Sequence, residues 1–125
     1  MTLAAFMAIH AVIALAFGIA FVLAPAWLLS LYGITLDAAG ILMTRLFGAA
    51  LIQIGLLAWL AKQVADAVAR RAVLLAYFLG LGVGFVIILL GQVAGVLNAL
   101  GWTSVAIYLL LALGYGYFQF VKPSA

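Results

Sequence analysis

The sequence predicts an all-α integral membrane protein, a four-helix bundle with a short interfacial helix after its first span. Hydrophobic residues make up 72% of the 125 residues and charged residues only 6%, whereas soluble domains have about 25% charged residues. Four apolar stretches each reach the roughly 20 residues that a helix needs to cross a bilayer. None of them alternates apolar and polar residues, as a membrane-spanning strand would.

The four predicted spans form one transmembrane domain over residues 1–125. They cover residues 3–24, 40–61, 72–97 and 103–121. No Lys or Arg precedes the first apolar run, so we expect a retained span and not a secretory leader. Pro25 ends this span because proline lacks an amide donor. Residues 26–34 place Trp27 and Tyr32 on one helical face, which predicts an interfacial helix with both rings at headgroup level.

The connections carry their own signals. Thr35 or Asp37 is the predicted N-cap of the second span, where an acidic side chain is favourable. Residues 62–71 have charged side chains at every fourth position, which favours a helical shoulder over a loose loop. In the last connection Gly101 is the predicted helix breaker of a tight turn, and Thr103 is the predicted N-cap of the fourth span.

Charge predicts the orientation of the spans. The connection after the second span and the C-terminal end together contain four basic residues: Lys62, Arg70, Arg71 and Lys122. The opposite side has Asp37 and no freely exposed Lys or Arg in its connections. We therefore expect a multi-pass protein of the bacterial inner membrane with cytoplasmic N- and C-termini. The five Lys and Arg residues form no basic stripe, so nucleic acid is not an expected partner.

Glycine is the predicted means of helix packing, because lipid supplies no hydrophobic drive between helices and close backbone approach must replace it. The third span has four glycines on one helical stripe: Gly80, Gly84, Gly91 and Gly95. Glycines of the other spans, such as Gly18, Gly48 and Gly55, offer complementary surfaces. This pattern favours packing within the chain over a dimer face.

Polar side chains inside the spans each need a partner or a function. Five of them stand out as candidates: His10, Arg45, Gln53, Gln92 and Gln119. The first four are the candidate ligand-binding residues. Arg45 and Gln92 are expected near the same outer level and could meet. Arg45 could instead pair with Asp37 or local carbonyl groups, or contact an anionic headgroup, a quinone carbonyl or a ligand carboxylate.

His10 and Gln53 are expected at similar depths near the middle of the bilayer. A hydrogen bond between the two side chains would hold the first and second spans together. Alternatively, the single imidazole could ligate the metal of a haem or a chlorophyll-type pigment. The chain has no cysteine, and its two acidic residues lie in different connections, so we predict no other metal site.

Residues 44–50 and 55–59, with residues 98–102 and a tyrosine-rich last helix, resemble segments of small uncharacterised bacterial four-helix membrane proteins. The architecture is also similar to that of DoxX-like bundles. The resemblance implies the fold and no particular activity.

The sequence predicts no enzyme, because it offers no nucleophile with a base and no pair of carboxylates. We expect an accessory or structural subunit that packs beside a larger membrane complex, with lipid and other membrane subunits as partners. It needs no cofactor, although it could hold lipid, quinone or pigment. A small-molecule transporter or channel is one alternative, which would need a broken helix or a polar pathway. A pigment- or haem-binding subunit through His10 is the other.

Overall fold

The computed structural model describes residues 1–122. Its elements in chain order are α1 (Leu3–Leu23), α2 (Pro25–Leu31), α3 (Ala38–Ala61), α4 (Ala67–Val93), α5 (Gly101–Gly116) and a π-helical segment (Tyr117–Val121). Four of the described stretches are long and apolar enough to cross a membrane, namely α1, α3, α4 and α5 with its π-helical end. The all-α fold class, with four membrane-length helices and a short helix after the first, is confirmed. The chain is a multi-pass membrane protein.

The chain divides into two compact units. The first unit, Met1–Lys62, contains α1, α2 and α3, and the second begins at Gln63 and contains α4, α5 and the π-helical segment. The single domain remains a prediction, and its last residues, 123–125, lie outside the described residues.

The first unit is an antiparallel helix pair joined by glycines. A Cβ atom on Gly18 would lie 2.8 Å from the carbonyl oxygen of Gly48, and one on Gly48 would lie 2.8 Å from the carbonyl oxygen of Gly18. The contact between α1 and α3 continues at Gly55, where a Cβ atom would lie 3.1 Å from the carbonyl oxygen of Ala11. Backbone therefore meets backbone, and this close approach multiplies the weak dispersion contacts between α1 and α3.

Helix α2 runs over Pro25–Leu31 and ends three residues earlier than predicted. Gly33 adopts a φ of 78°, in the left-handed region that ends helices. Its amide donates to the carbonyl of Ser30 at 3.0 Å, and the amide of Ile34 donates to Leu29 at 3.0 Å. These two bonds form a Schellman motif, which satisfies the last carbonyls of α2.

The predicted interfacial face of α2 is divided between two environments. Leu28 and Tyr32 are buried, whereas Trp27 is 62% exposed. Leu28 and Tyr32 stand one turn apart on the face that turns inward, and the level of the Tyr32 ring relative to the headgroups remains a prediction. Trp27 lies on the exposed side of α2.

Two aspartates mark the starts of α3 and α4. The Asp37 carboxylate accepts from the amide of Gly40 at 2.7 Å, which confirms it as the N-cap of α3. The predicted helical shoulder over residues 62–71 is wrong for residues 62–66, which leave the helix before α4 begins, whereas residues 67–71 are helical. Asp66 accepts from the amide of Ala69 at 2.8 Å. The preference of aspartate for the N-cap position, which satisfies an orphan amide, therefore outweighs the charge spacing.

Helix α4 ends at Val93, four residues before the predicted end. Gly95 has a φ of 80°, and its amide donates to the carbonyl of Gln92 at 3.1 Å. The amide of Val96 donates to Gly91 at 3.0 Å, which completes a second Schellman motif. Gly95 lies beyond the helix, so the glycine stripe predicted on a continuous helix does not extend to it.

Helix α5 begins at Gly101, two residues before the predicted start. The predicted N-cap, Thr103, lies inside the helix, where its hydroxyl donates to the carbonyl of Leu100 at 2.7 Å. Residues 98–101 already turn in short hydrogen-bonded steps, beginning with the amide of Gly101 on the carbonyl of Asn98 at 2.9 Å. The helix therefore starts from this turn and needs no hydroxyl cap.

The second unit packs aromatic rings against glycines. The Tyr108 ring lies against Gly84, where a Cβ atom would overlap it. At Gly116 a Cβ atom would lie 2.9 Å from the Phe78 ring. The rings of Tyr77 and Tyr115 pack in a tilted arrangement, with centroids 4.9 Å apart and planes inclined by 35°. Each glycine thus makes room for a ring of the facing helix. The later residue of α4 pairs with the earlier residue of α5, so the two helices run antiparallel.

Candidate functional site

His10 lies in the core of the first unit and is 2% exposed. Met7, about one turn before it, and Ala11, next to it, are fully buried with it. This position favours helix packing over pigment ligation, because a macrocycle could reach the imidazole only if the helices around it separated. Haem or pigment binding through His10 remains a prediction.

Gln53 is exposed on α3. The predicted depth agrees with the structure, since Ala11, next to His10, lies opposite Gly55. The predicted hydrogen bond between His10 and Gln53 was nevertheless wrong. At about 100° per residue, Gln53 lies about 160° around the helix from Gly55 and about 140° from Gly48. The glycines face α1, so Gln53 faces away from it.

Arg45 lies at the end of the helix pair where α1 stops. Its Nε donates to the carbonyl oxygen of Val22 at 3.2 Å. Val22 is in the last turn of α1, where carbonyls lack intrahelical partners and the helix dipole favours a cation. The structure therefore adopts the local-carbonyl alternative for Arg45. The carboxylate of Asp37 instead accepts from the amide of Gly40 at the start of α3.

The second unit contains the same kind of contact, which sequence reasoning missed. Nη2 of Arg70 donates to the carbonyl oxygen of Phe118 at 3.4 Å, in the π-helical segment. The available signal was an arginine in the first turn of α4, beside the end of its antiparallel neighbour.

In the first unit Lys62 has another kind of partner, since its Nζ lies 3.3 Å from the centre of the Trp59 ring. Such a cation over an aromatic face is attracted by the ring quadrupole.

Gln92 belongs to the turn between α4 and α5. Its Nε2 donates to the carbonyl of Asn98 at 3.0 Å, and the side chain is 8% exposed. Its Oε1 is buried without a hydrogen-bond partner among the described residues. That oxygen occupies the place that a Cβ atom on Gly101 would take. Gly101 is thus required by the position of Gln92, a role that its turn signal alone does not indicate.

The glycines of the predicted stripe have different surroundings. Gly84 is in close contact with Tyr108. A Cβ atom on Gly80 would meet no described atom within 4 Å, and one on Gly91 would meet only Leu97, at 3.7 Å. Helix packing through Gly80 and Gly91 remains a prediction.

The four candidate ligand-binding residues do not form one cluster. His10, Arg45 and Gln53 lie in the first unit, at its core, at one end and on its outer surface, whereas Gln92 lies in the second unit. Within residues 1–122, no group of three or more His, Asp or Glu side chains could hold a metal ion. Ligand binding at these four positions remains a prediction.

Comparison with known proteins identifies the family. A family model described as "Domain of unknown function (DUF8292)" matches residues 1–118. The chain belongs to this family. Neither a curated protein nor a solved structure matches the chain.

Proposed function

We propose that this chain is a non-catalytic subunit of the bacterial inner membrane that packs beside another membrane protein through the outer face of α3. The observation that carries the proposal is the exposed amide of Gln53. It lies eight residues before the end of α3, about 12 Å from that end. Hydrocarbon offers no hydrogen-bond partner at this depth, whereas a neighbouring protein helix does.

The residues around Gln53 suit such a contact. The Gln53 face comprises the exposed residues from Leu46 to Leu60 that lie within about 60° of Gln53 around α3: Leu46, Ala49, Ala50, Gln53, Leu56, Leu57 and Leu60. The two alanines allow a partner helix to come close to the amide. The leucines lie above and below it and exclude water. The face therefore combines a short approach distance with one directional hydrogen-bonding group.

Photocrosslinking from Leu57 in native membranes tests the proposal. Leu57 is on the Gln53 face and 46% exposed, so a photoreactive residue there leaves Gln53 intact. We expect a discrete product with a second polypeptide that weakens when Gln53→Leu is added and persists with Gln53→Asn, which retains the amide. Val12, which is 61% exposed on α1, is the control position. Equal products from both positions, or products within one chain only, would contradict the proposal.

Charge supports the proposed orientation. In the first unit, Lys62 lies at the same end as the N-terminus, because α1 and α3 are antiparallel. In the second unit, Arg70 at the start of α4 contacts the segment that leads to Lys122. The basic residues of the second unit, Arg70, Arg71 and Lys122, thus gather at one end of its helix pair, and the positive-inside rule assigns that end to the cytoplasm. In the first unit Lys62 and Arg45 lie at opposite ends, so its orientation follows from the short connection to α4.

A further inference from the structure

We infer that Arg45 forms a binding site for a phosphate oxyanion at the membrane surface. The site begins at the end of α1. Pro25 has no amide, and Ala24 leaves helical geometry with a ψ of 60°, so the last carbonyls of α1 lose their helical partners. Nε of Arg45 donates to one of them, on Val22, at 3.2 Å. This bond fixes the orientation of the guanidinium.

Fixing the guanidinium by Nε leaves four N–H groups on its two terminal nitrogens. The Arg45 side chain is exposed. Neither Arg45 nor Asp37 forms an ion pair within the described residues, and the Asp37 carboxylate accepts from the Gly40 amide. A guanidinium stays charged throughout the pH range of life. Arg45 therefore presents a positive charge that no acidic side chain balances.

The level of Arg45 in the membrane identifies the anion. Arg45 is the eighth residue of α3, about 10 Å from its start, and it contacts the last turn of α1. At this end α1 gives way to α2, which has the exposed Trp27. Indole rings prefer the boundary between hydrocarbon and headgroups. Phosphate groups are the abundant anions next to that boundary, and two N–H groups of a guanidinium can bind two phosphate oxygens at once.

The site is independent of the Gln53 face, because Arg45 lies on the side of α3 that contacts α1. The phosphate could belong to a phospholipid or be free in solution. The lipid source needs no further group, since the aliphatic part of the side chain lies along apolar surface while its charged end reaches the headgroups.

Lipid retention in detergent micelles tests the site. Native mass spectrometry measures how much dioleoylphosphatidylglycerol stays bound. We expect the protein to retain this lipid about tenfold better than the Arg45→Gln variant does, and a tenfold difference in affinity corresponds to about 1.4 kcal/mol. Arg45→Lys should fall between them, because lysine keeps the charge but offers a single point contact. Lys62→Gln is the matched control, since it removes one positive charge from the other end of the same unit, and it should retain lipid as the parent does.

A competition experiment distinguishes the two sources. Millimolar inorganic phosphate should leave bound phosphatidylglycerol in place if the lipid headgroup is the ligand. Displacement that depends on Arg45 would support the oxyanion site and assign it to free phosphate. Equal lipid loss from Lys62→Gln and Arg45→Gln would overturn the proposal. If Arg45→Gln does not fold, as judged by helical circular dichroism, Arg45→Lys decides, and retention equal to the parent's would overturn it.

Discussion

Replacing Gly48 with alanine tests the backbone contact between α1 and α3. The new Cβ atom would lie 2.8 Å from the carbonyl oxygen of Gly18 and 2.9 Å from Cβ of Phe21. Ordinary contacts between such atoms are about 3.5 Å or longer. One of these neighbours is backbone and the other is attached directly to it, so rotation of a side chain cannot relieve the overlap. The two helices must move apart.

Two opposing effects determine the size of the change in stability. Overpacking in a close contact costs roughly 1–3 kcal/mol, whereas replacing a helical glycine with alanine gains about 1 kcal/mol in helix propensity. Gly80→Ala is the matched control, because a Cβ atom there meets nothing within 4 Å. It should show the gain alone. The difference between the two variants removes the propensity effect and should be roughly 1–3 kcal/mol.

Reversible unfolding by sodium dodecyl sulfate in mixed micelles, followed by circular dichroism, measures this difference. We expect Gly48→Ala to unfold at a lower detergent fraction than Gly80→Ala. Gly18→Ala combined with Gly48→Ala should cost less than the two single changes together, because one separation of the helices relieves both overlaps. A Gly48→Ala variant as stable as Gly80→Ala would refute the contact. A destabilised Gly80→Ala would instead support the predicted packing of Gly80.

Three further predictions concern other parts of the chain. Gly101→Ala should destabilise the protein by roughly 1–3 kcal/mol, because the new Cβ atom displaces the buried amide of Gln92. Gln92→Leu should cost less, since it removes the buried oxygen that has no partner; comparative unfolding measures both variants, and a larger loss of stability for Gln92→Leu would contradict this geometry. The purified protein should be colourless, and His10→Gln should leave its absorption spectrum unchanged, whereas a Soret or near-infrared band altered by that substitution would establish a pigment ligand. Of single cysteines placed at Ala38 and at Ser124, which lies outside the described residues, only the one at Ala38 should be labelled from outside intact cells; labelling at Ser124 would contradict the predicted orientation.

The helices were predictable because membrane length and composition leave few alternatives to them. Their ends were less accurate, and the errors have a common cause. Gly33 and Gly95 both have positive φ and end helices, yet the aliphatic residues after them extended the predicted elements. A glycine near a helix end is a strong stop signal. Greater weight on that rule would have placed both ends correctly.

The face of α3 that meets α1 was harder to predict. The depth of Gln53 follows from counting residues, but its direction depends on which stripe of α3 is buried. The structure selects the stripe with Gly48 and Gly55 because close backbone contact is possible there. A pairing of polar side chains would have selected another. In an apolar helix a hydrophobic pattern cannot decide between such faces, since residues all around it are apolar.

The sequence alone allows several partners for Arg45, for a similar reason. Its distance from the span end allowed Asp37, a carbonyl or a ligand. Asp37 has a competing role as N-cap of α3, and the carbonyl of Val22 becomes available because α1 ends before Pro25. These two local effects act together only once α1 and α3 are placed side by side.

Oxygen accessibility of a spin label at Leu57 tests most directly whether the Gln53 face contacts another protein. The chain has no cysteine, so a single introduced cysteine is labelled uniquely. With a label at Val12 as the lipid-exposed reference, accessibility at Leu57 should be low in native membranes and should rise to the Val12 level after purification into detergent. Accessibility at Leu57 equal to that at Val12 in native membranes would contradict the proposed subunit role.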